Sequence, residues 1–326
     1  MGVVAHDPAP RDLPEAAYDA AFLTLMDSLA CAFKALQDPE CTKLLGALVP
    51  GATMAFGARV PGTSYQLDPV QAAFDVGTMV GWLAANDPAL ATMSGHLSDN
   101  LGAILAVADY RARKAIAEGT SAPTVRDLFA AVVGAHEHAS LEWTRLQRAT
   151  RSAAADQASN ASASVSARCA LIRSASAAAA ASLLGGTRDQ VAAAVAIARS
   201  ETPAIGHLGA AQSAETHERW RIGDATSRGV RLALIALAGQ TGSRSGTPQP
   251  SDEAARQRAV MAELDQTWRA VAATPDVANR IRDRFAACVA NHFPAVQAGK
   301  LAAMFADRVK LEALPVNELV SMTVRN

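Results

Sequence analysis

The feature that most constrains this chain is a recurring pattern. Helix-start signals stand again and again before alanine-rich stretches whose apolar residues repeat every three or four positions. Residues 17–37 place Phe22, Leu25, Leu29 and Phe33 on one stripe of an amphipathic helix. Asp68-Pro69 combines an N-cap side chain with proline at the first helical position, ahead of VQAAFDVGTMVGWL. Residues 99–117 and 124–146 continue the pattern, the second entered through Thr124. Thr187 and Gln190 make a capping box before VAAAVAIA, because each side chain can reach the other's backbone N–H. Asp224 is placed to cap VRLALIALA, Thr274-Pro275 opens a helix through Val289, and residues 296–310 supply one more. Only the closing VSMTVRN alternates with period two. Alanine is the best helix former and lets backbones approach closely, so the expectation is an all-α, multi-helix domain.

Composition narrows the partners. Lys plus Arg number 30 against 31 Asp plus Glu, so the net charge of -1 offers no general field for nucleic acid or an acidic membrane. Aromatics are 5%, too few for an all-β sandwich. The first residues lack a basic stretch followed by an apolar one, and His6 breaks the myristoylation pattern. The run from Ala175 to Leu184 is too short to span a bilayer. Cys31, Cys41, Cys169 and Cys288 show no metal spacing and read as reduced, buried thiols. The expectation is a cytoplasmic protein with no nucleic-acid or membrane partner, no metal and no cofactor. Residues 150–168, rich in Ala and Ser, and 241–251, rich in Gly, Ser, Thr and Pro, read as loops within one helical domain over 1–318.

Several stretches are more particular than generic helix. GARVPGTSYQLDPVQAAFDVGTMVGWL (57–83), GHLSDNLGAILAVADY (95–110) and GDATSRGVRLALIAL (223–237) together resemble the 2-methylcitrate dehydratase family. DSLACAFKALQDPECTKLLGALVPG (27–51) and the weaker echo HFPAVQAGKLAAMF (292–305) add to the likeness. That superfamily, MmgE/PrpD, also contains cis-aconitate decarboxylase. The resemblance implies a large all-α domain joined to a smaller α/β lid, with the active site between them and a homodimer formed through the helical domain. Residues 319–326 fall where the first lid strand would begin, so the expectation is a chain without that lid.

Dehydrating a hydroxy-tricarboxylate needs a base beside a carboxylate, an acid for the departing hydroxide, and donors for the remaining carboxylates. The family's L-D-F-N-D-T-W and G-H-P-S-D correspond here to Leu83-Ala84-Ala85-Asn86-Asp87-Pro88-Ala89 and Gly95-His96-Leu97-Ser98-Asp99. Ala84 and Pro88 stand where the family has Asp and Thr, and neither can transfer a proton. His96 and Asp87 are the catalytic candidates, His96 because its ordinary pKa lies near neutrality. Asn86 and Asp99 are candidate substrate-binding residues. Counting back from Leu184-Gly185 places Arg168 where the family has a second histidine, a fixed cation in place of a base. GDATSR puts Asp224, Thr226, Ser227 and Arg228 at an expected helix start, where backbone N–H groups favour a carboxylate. Ser227 replaces the lysine of the decarboxylase branch.

Each residue also has a plainer role. His96 can be a structural hydrogen-bonder, Asp87 a turn residue before Pro88, and Asp99-Asn100 a cap for the following helix. Asp224 and Arg228, four apart, suit an intrahelical ion pair. His136 and His138 bracket Glu137 but do not share a helix face, which argues against a metal site. His207 and His217 fall in a loop-rich stretch. Three functions follow. One is a lyase-like enzyme with an altered, lidless site acting on a small or acyl-derived metabolite by dehydration, isomerisation or cyclisation. The others are a true 2-methylcitrate dehydratase and a non-catalytic dimeric scaffold.

Overall fold

The computed structural model describes residues 13–92, 94–153, 160–201, 215–242 and 250–325. Their architecture is all-α. The helices are α1 (Glu15–Ala35), α2 (Pro39–Thr42), α3 (Pro69–Gly81), α4 (Leu101–Ala117), α5 (Val125–Ala153), α6 (Asn160–Leu183) and α7 (Arg188–Ser200). They continue with α8 (Glu215–Leu237), α9 (Pro250–Ala272), α10 (Pro275–His292), α11 (Ala295–Met304), α12 (Arg308–Glu312) and α13 (Val316–Thr323). Two antiparallel pairs of two-residue strands interrupt them, β1 (Ala58–Arg59) with β2 (Gln66–Leu67), and β3 (Ala91–Thr92) with β4 (Gly95–His96).

The caps explain where several helices begin. Asp68 accepts from the backbone N–H groups of Val70 and Gln71 at 3.0 and 3.1 Å, with Pro69 at the first helical position. Thr187 and Gln190 form the reciprocal capping box expected of them. Two packing styles then fill one apolar core. Around α1, aromatic rings do the work: Phe22 meets Phe129 edge-on at 6.4 Å and stacks on Phe305 at 6.1 Å, while Phe33 meets Phe293 at 5.0 Å. Between α3, α4 and α8 the side chains almost vanish. A methyl on Gly223 would lie 2.1 Å from Thr78 Oγ1 and 2.5 Å from the Phe74 carbonyl, and one on Gly102 would meet the Gly77 backbone at 2.7 Å. Across this seam the Thr226 hydroxyl donates to the Ala73 carbonyl at 3.0 Å. Helix α1 is apolar and long enough to cross a membrane, but 89% of its most apolar window is buried inside the fold.

Several expectations are corrected. The expected strand at 319–326 is not found among its described residues, 319–325: α13 runs to Thr323, because Val316, Leu319, Val320 and Thr323 repeat at helical spacing and bury one face. Only the end is extended, where Arg325 N–H donates to the Thr63 carbonyl at 3.0 Å. Asp224 caps nothing, since α8 begins at Glu215 and passes straight through GDATSR. The expected loop 150–168 is helical at both ends, within α5 and α6, and its middle, 154–159, lies outside the described residues. Of 241–251, residues 243–249 lie outside them and 250–251 begin α9. His207 also lies outside, whereas the backbone of His217 is in α8 rather than a loop. Residues 296–310 divide into α11 and α12 at Phe305–Asp307, with Asp307 capping the second helix.

Candidate active site

Residues 83–100 leave α3 and return to α4; Leu90 and Leu97 anchor them in the apolar core, and polar contacts hold the rest. Ala84 has a left-handed backbone, φ +47°. Asp and Asn tolerate that region better than Ala does, so the backbone keeps a shape suited to a polar residue although the side chain is a methyl. Asn86 follows, and its buried Nδ2 has no partner among the described residues. Asp87 accepts from Ala89 N–H at 3.0 Å and so starts the short 3-10 turn Pro88–Leu90. Its carboxylate also takes a forked bond from Arg280 of α10, Nε to Oδ2 at 2.8 Å and Nη2 to Oδ1 at 3.1 Å. Burial opposes ionisation of Asp87, but the Arg280 fork and the Ala89 N–H outweigh it and hold the carboxyl below its ordinary value.

His96 is buried at the start of the next 3-10 turn, Leu97–Asn100, and both ring nitrogens are engaged. Nε2 donates to the Asp87 carbonyl at 2.8 Å, and a carbonyl can only accept, so the proton sits on Nε2. Nδ1 therefore carries the lone pair, accepting from Ser98 N–H at 3.1 Å and the Ser98 hydroxyl at 2.7 Å. Burial is the largest influence on the ring and holds its pKa below 6.5, against the pull of the Asp87 carbonyl and the Asp99 charge. Asp99 closes the capping box by accepting from His96 N–H at 3.0 Å. Its carboxylate is gripped by Arg168 of α6, Nε to Oδ2 at 3.1 Å and Nη2 to Oδ1 at 2.5 Å. Asn100 accepts from the Ser176 hydroxyl of α6 at 2.9 Å and makes no cap bond to α4.

A second polar string lies beneath. His136 Nε2 meets Thr92 Oγ1 at 3.0 Å, Thr92 meets Ser94 at 2.9 Å, and Ser94 meets Ser140 at 2.7 Å. His138 turns the other way, to Ser174 at 3.0 Å. Burial pushes both imidazoles down to about 4, so they are neutral near pH 7. Among the described residues no cluster of three His, Cys, Asp or Glu side chains is placed to hold a metal.

GDATSR plays another part than an anion site. All of its backbone lies inside α8, so no free helix-start N–H groups face a ligand there. Thr226 is spent on the α3 seam, Ser227 bonds back to the Asp224 carbonyl at 3.0 Å, and Arg228 pairs with Glu201 rather than Asp224. Exposed Asp224 acts on Cys169 of α6, whose thiol burial pushes up; Arg221, Arg168 and Arg173 oppose that rise and the Asp224 charge adds to it.

Residues 2–251 match the model of the MmgE/PrpD N-terminal domain. The chain belongs to the MmgE/PrpD family. It is 44% identical over 226 residues to a 2-methylcitrate dehydratase of Cupriavidus necator, covering 69% of this chain and 44% of that one. It is 41% identical over 234 residues to one of Escherichia coli K12, with 72% and 46% covered. A 2-methylcitrate dehydratase-like protein of Aspergillus oryzae is 33% identical over 239 residues, again 72% and 46%. The chain therefore spans less than half the length of the curated relatives it matches.

Within this MmgE/PrpD member the structure links Asp87, His96, Asp99 and Arg168 by hydrogen bonds, with Asn86 next to Asp87 in the chain. Asp27 opens the family-like stretch 27–51 but is not among the candidate site residues, and neither are the α10 arginines. Asp27 of α1 is fully buried, accepts from Asp87 N–H at 2.9 Å, and pairs with Arg284. Arg284 Nη1 also donates to the Ala85 carbonyl at 2.6 Å. Arg280 and Arg284 lie four apart, on one helix face, and that spacing is the only signal the sequence carries for them.

Proposed function

We propose that this chain carries an altered lyase-type site of the MmgE/PrpD family, centred on residues 83–100, which acts on a small carboxylated metabolite by proton transfer. Dehydration or isomerisation beside a carboxylate fits the groups present. The observation that carries this reading is the state of His96: a neutral imidazole, Nε2 fixed as donor, with its lone pair at Nδ1. A lone pair of that kind takes a proton from carbon beside a carboxylate. The Ser98 hydroxyl on Nδ1 either relays the proton or turns aside for the substrate. Arg168, with a side chain 46% exposed, and the unpartnered Asn86 amide supply donors for substrate oxygens. The names of the relatives point to 2-methyl-substituted tricarboxylates, whereas Ala84 and Pro88 favour a changed substrate.

One observation favours a second reading, a non-catalytic dimeric scaffold: the carboxylates of Asp87 and Asp99 and both nitrogens of His96 are all saturated from within. The two readings part in one experiment. The full chain is incubated with 2-methylcitrate, citrate and cis-aconitate, and both product formation and ligand-induced melting shifts are followed. The Ala84→Asp/Pro88→Thr double variant is run beside it. The lyase reading expects a ligand-induced shift in the wild type and faster 2-methylcitrate turnover in the double variant. Absence of turnover and of any shift in both proteins favours the scaffold. Full turnover of 2-methylcitrate by the wild type would make it an ordinary dehydratase despite the two replacements.

A further inference from the structure

The contacts of α10 reach the imidazole through the 85–87 backbone. Arg284 holds the Ala85 carbonyl, and Asp27, paired with Arg284, holds Asp87 N–H. Arg280 holds the Asp87 carboxylate by both of its edges. The peptide units on either side of Asn86 are thus pinned before the chain reaches the Asp87 carbonyl, and that carbonyl receives the His96 Nε2 proton at 2.8 Å. An imidazole free in water exchanges its proton between the two nitrogens; a fixed acceptor on one side selects a single tautomer. Both arginines lie beyond residues 2–251, the segment matched to the family.

We propose that Arg280 and Arg284 are positioning residues: by pinning residues 85–87 they hold the Asp87 carbonyl in place, fix the proton of His96 on Nε2, and keep the lone pair on Nδ1. The inference rests on the lyase reading only for what that tautomer is used for. Both residues act through the loop. Four charged or titratable groups face the ring: Asp87, Asp99 and Arg168, with His136 from α5. Only Asp87 is tied to α10. Removing the α10 clamp therefore changes the ring's acceptor and its access to water while leaving the Asp99–Arg168 side intact.

The test is the ring nitrogen spectrum of His96 in the 15N-histidine-labelled full chain, assigned by loss of the signal in His96→Gln and followed across pH. In the wild type the two nitrogens show one protonated and one bare resonance, with a protonation midpoint below 6.5. In Arg280→Gln and Arg284→Gln the two resonances move toward each other and the midpoint rises toward 6.5, because water replaces the fixed carbonyl. Arg284→Lys, which still reaches Ala85 and Asp27 as a cation, keeps the wild-type pattern. Arg280 is half exposed, so Arg280→Gln decides the matter if Arg284→Gln fails to fold. Ring signals in Arg280→Gln that coincide with the wild type at every pH overturn the proposal. That result in a chain that turns over substrate sinks this inference alone, whereas the expected shift in a chain without turnover sinks only the lyase reading.

Discussion

The α3–α8 seam and the segment 83–100 touch in the fold and are built on opposite principles. At the seam, Gly77, Gly102 and Gly223 bring backbones into contact, with Thr226 bonding across. Close packing dominates there, so its tolerance for added atoms is close to zero. In the 83–100 segment shape matters less. Asp27, Asp87 and Asp99 are each met by an arginine from another helix, and the loop's conformation depends on those charges. Two family-like stretches thus do different work in this chain: GDATSR packs helices, and G-H-x-S-D arranges groups around the imidazole. Only the second places an imidazole and two arginine-held carboxylates side by side.

Breaking the charged side should cost most. Asp27→Ala leaves Arg284 without its buried counter-ion and Asp87 N–H without an acceptor. Chemical denaturation should show a loss of about 3–5 kcal/mol. Breaking the packed side comes next. Gly223→Ala should destabilise by about 2 kcal/mol, the overlap with Thr78 and Phe74 outweighing the roughly 1 kcal/mol of helix propensity that Ala adds. A loss at Gly223 exceeding that at Asp27 would reverse the comparison.

The packed side also contains one strained ionisation. Asp75 of α3 is buried, and burial, with Asp68 adding, raises its pKa to about 7, against bonds from Gly46 N–H and the Gln71 amide. An unfolded Asp titrates near about 3.9. The folded chain thus holds this proton more tightly, so the contribution to stability is complete below pH 4 and is lost as pH rises to 7. The slope is up to about 1.4 kcal/mol per pH unit. Melting of Asp75→Asn against wild type between pH 4 and 8 checks the sign: the variant should gain relative to wild type as pH rises. The smallest effect is expected at Arg168→Lys. Stability should stay within about 0.5 kcal/mol because the guanidinium is nearly half exposed. Affinity for citrate, measured by calorimetry, should fall about tenfold with loss of the planar fork.

How much of this was legible in the residues follows the same division. Helix existence was, because 3.6-residue periodicity and the caps at Asp68 and Thr187 act locally. The end at VSMTVRN misled, since an alternating pattern over few residues coexists with a helical one and burial of Leu319 and Val320 decides between them. Asp224 misled as well: a good cap residue caps nothing when the helix starts a full two turns earlier. In the site, His96, Asp87 and Asp99 came from the matched motif. Asp27, although it opens the family-like stretch 27–51, and Arg280 and Arg284 were not marked as site residues, because their partners lie at sequence separations that no local pattern encodes.

The most direct measurement of the central claim is turnover by wild type and His96→Ala, on the carboxylated substrate that stabilises the wild type most strongly, with circular dichroism to confirm an intact fold. The account predicts at least about a 100-fold loss in His96→Ala, the scale of a missing proton-transfer group. Full turnover by a folded His96→Ala protein would contradict it.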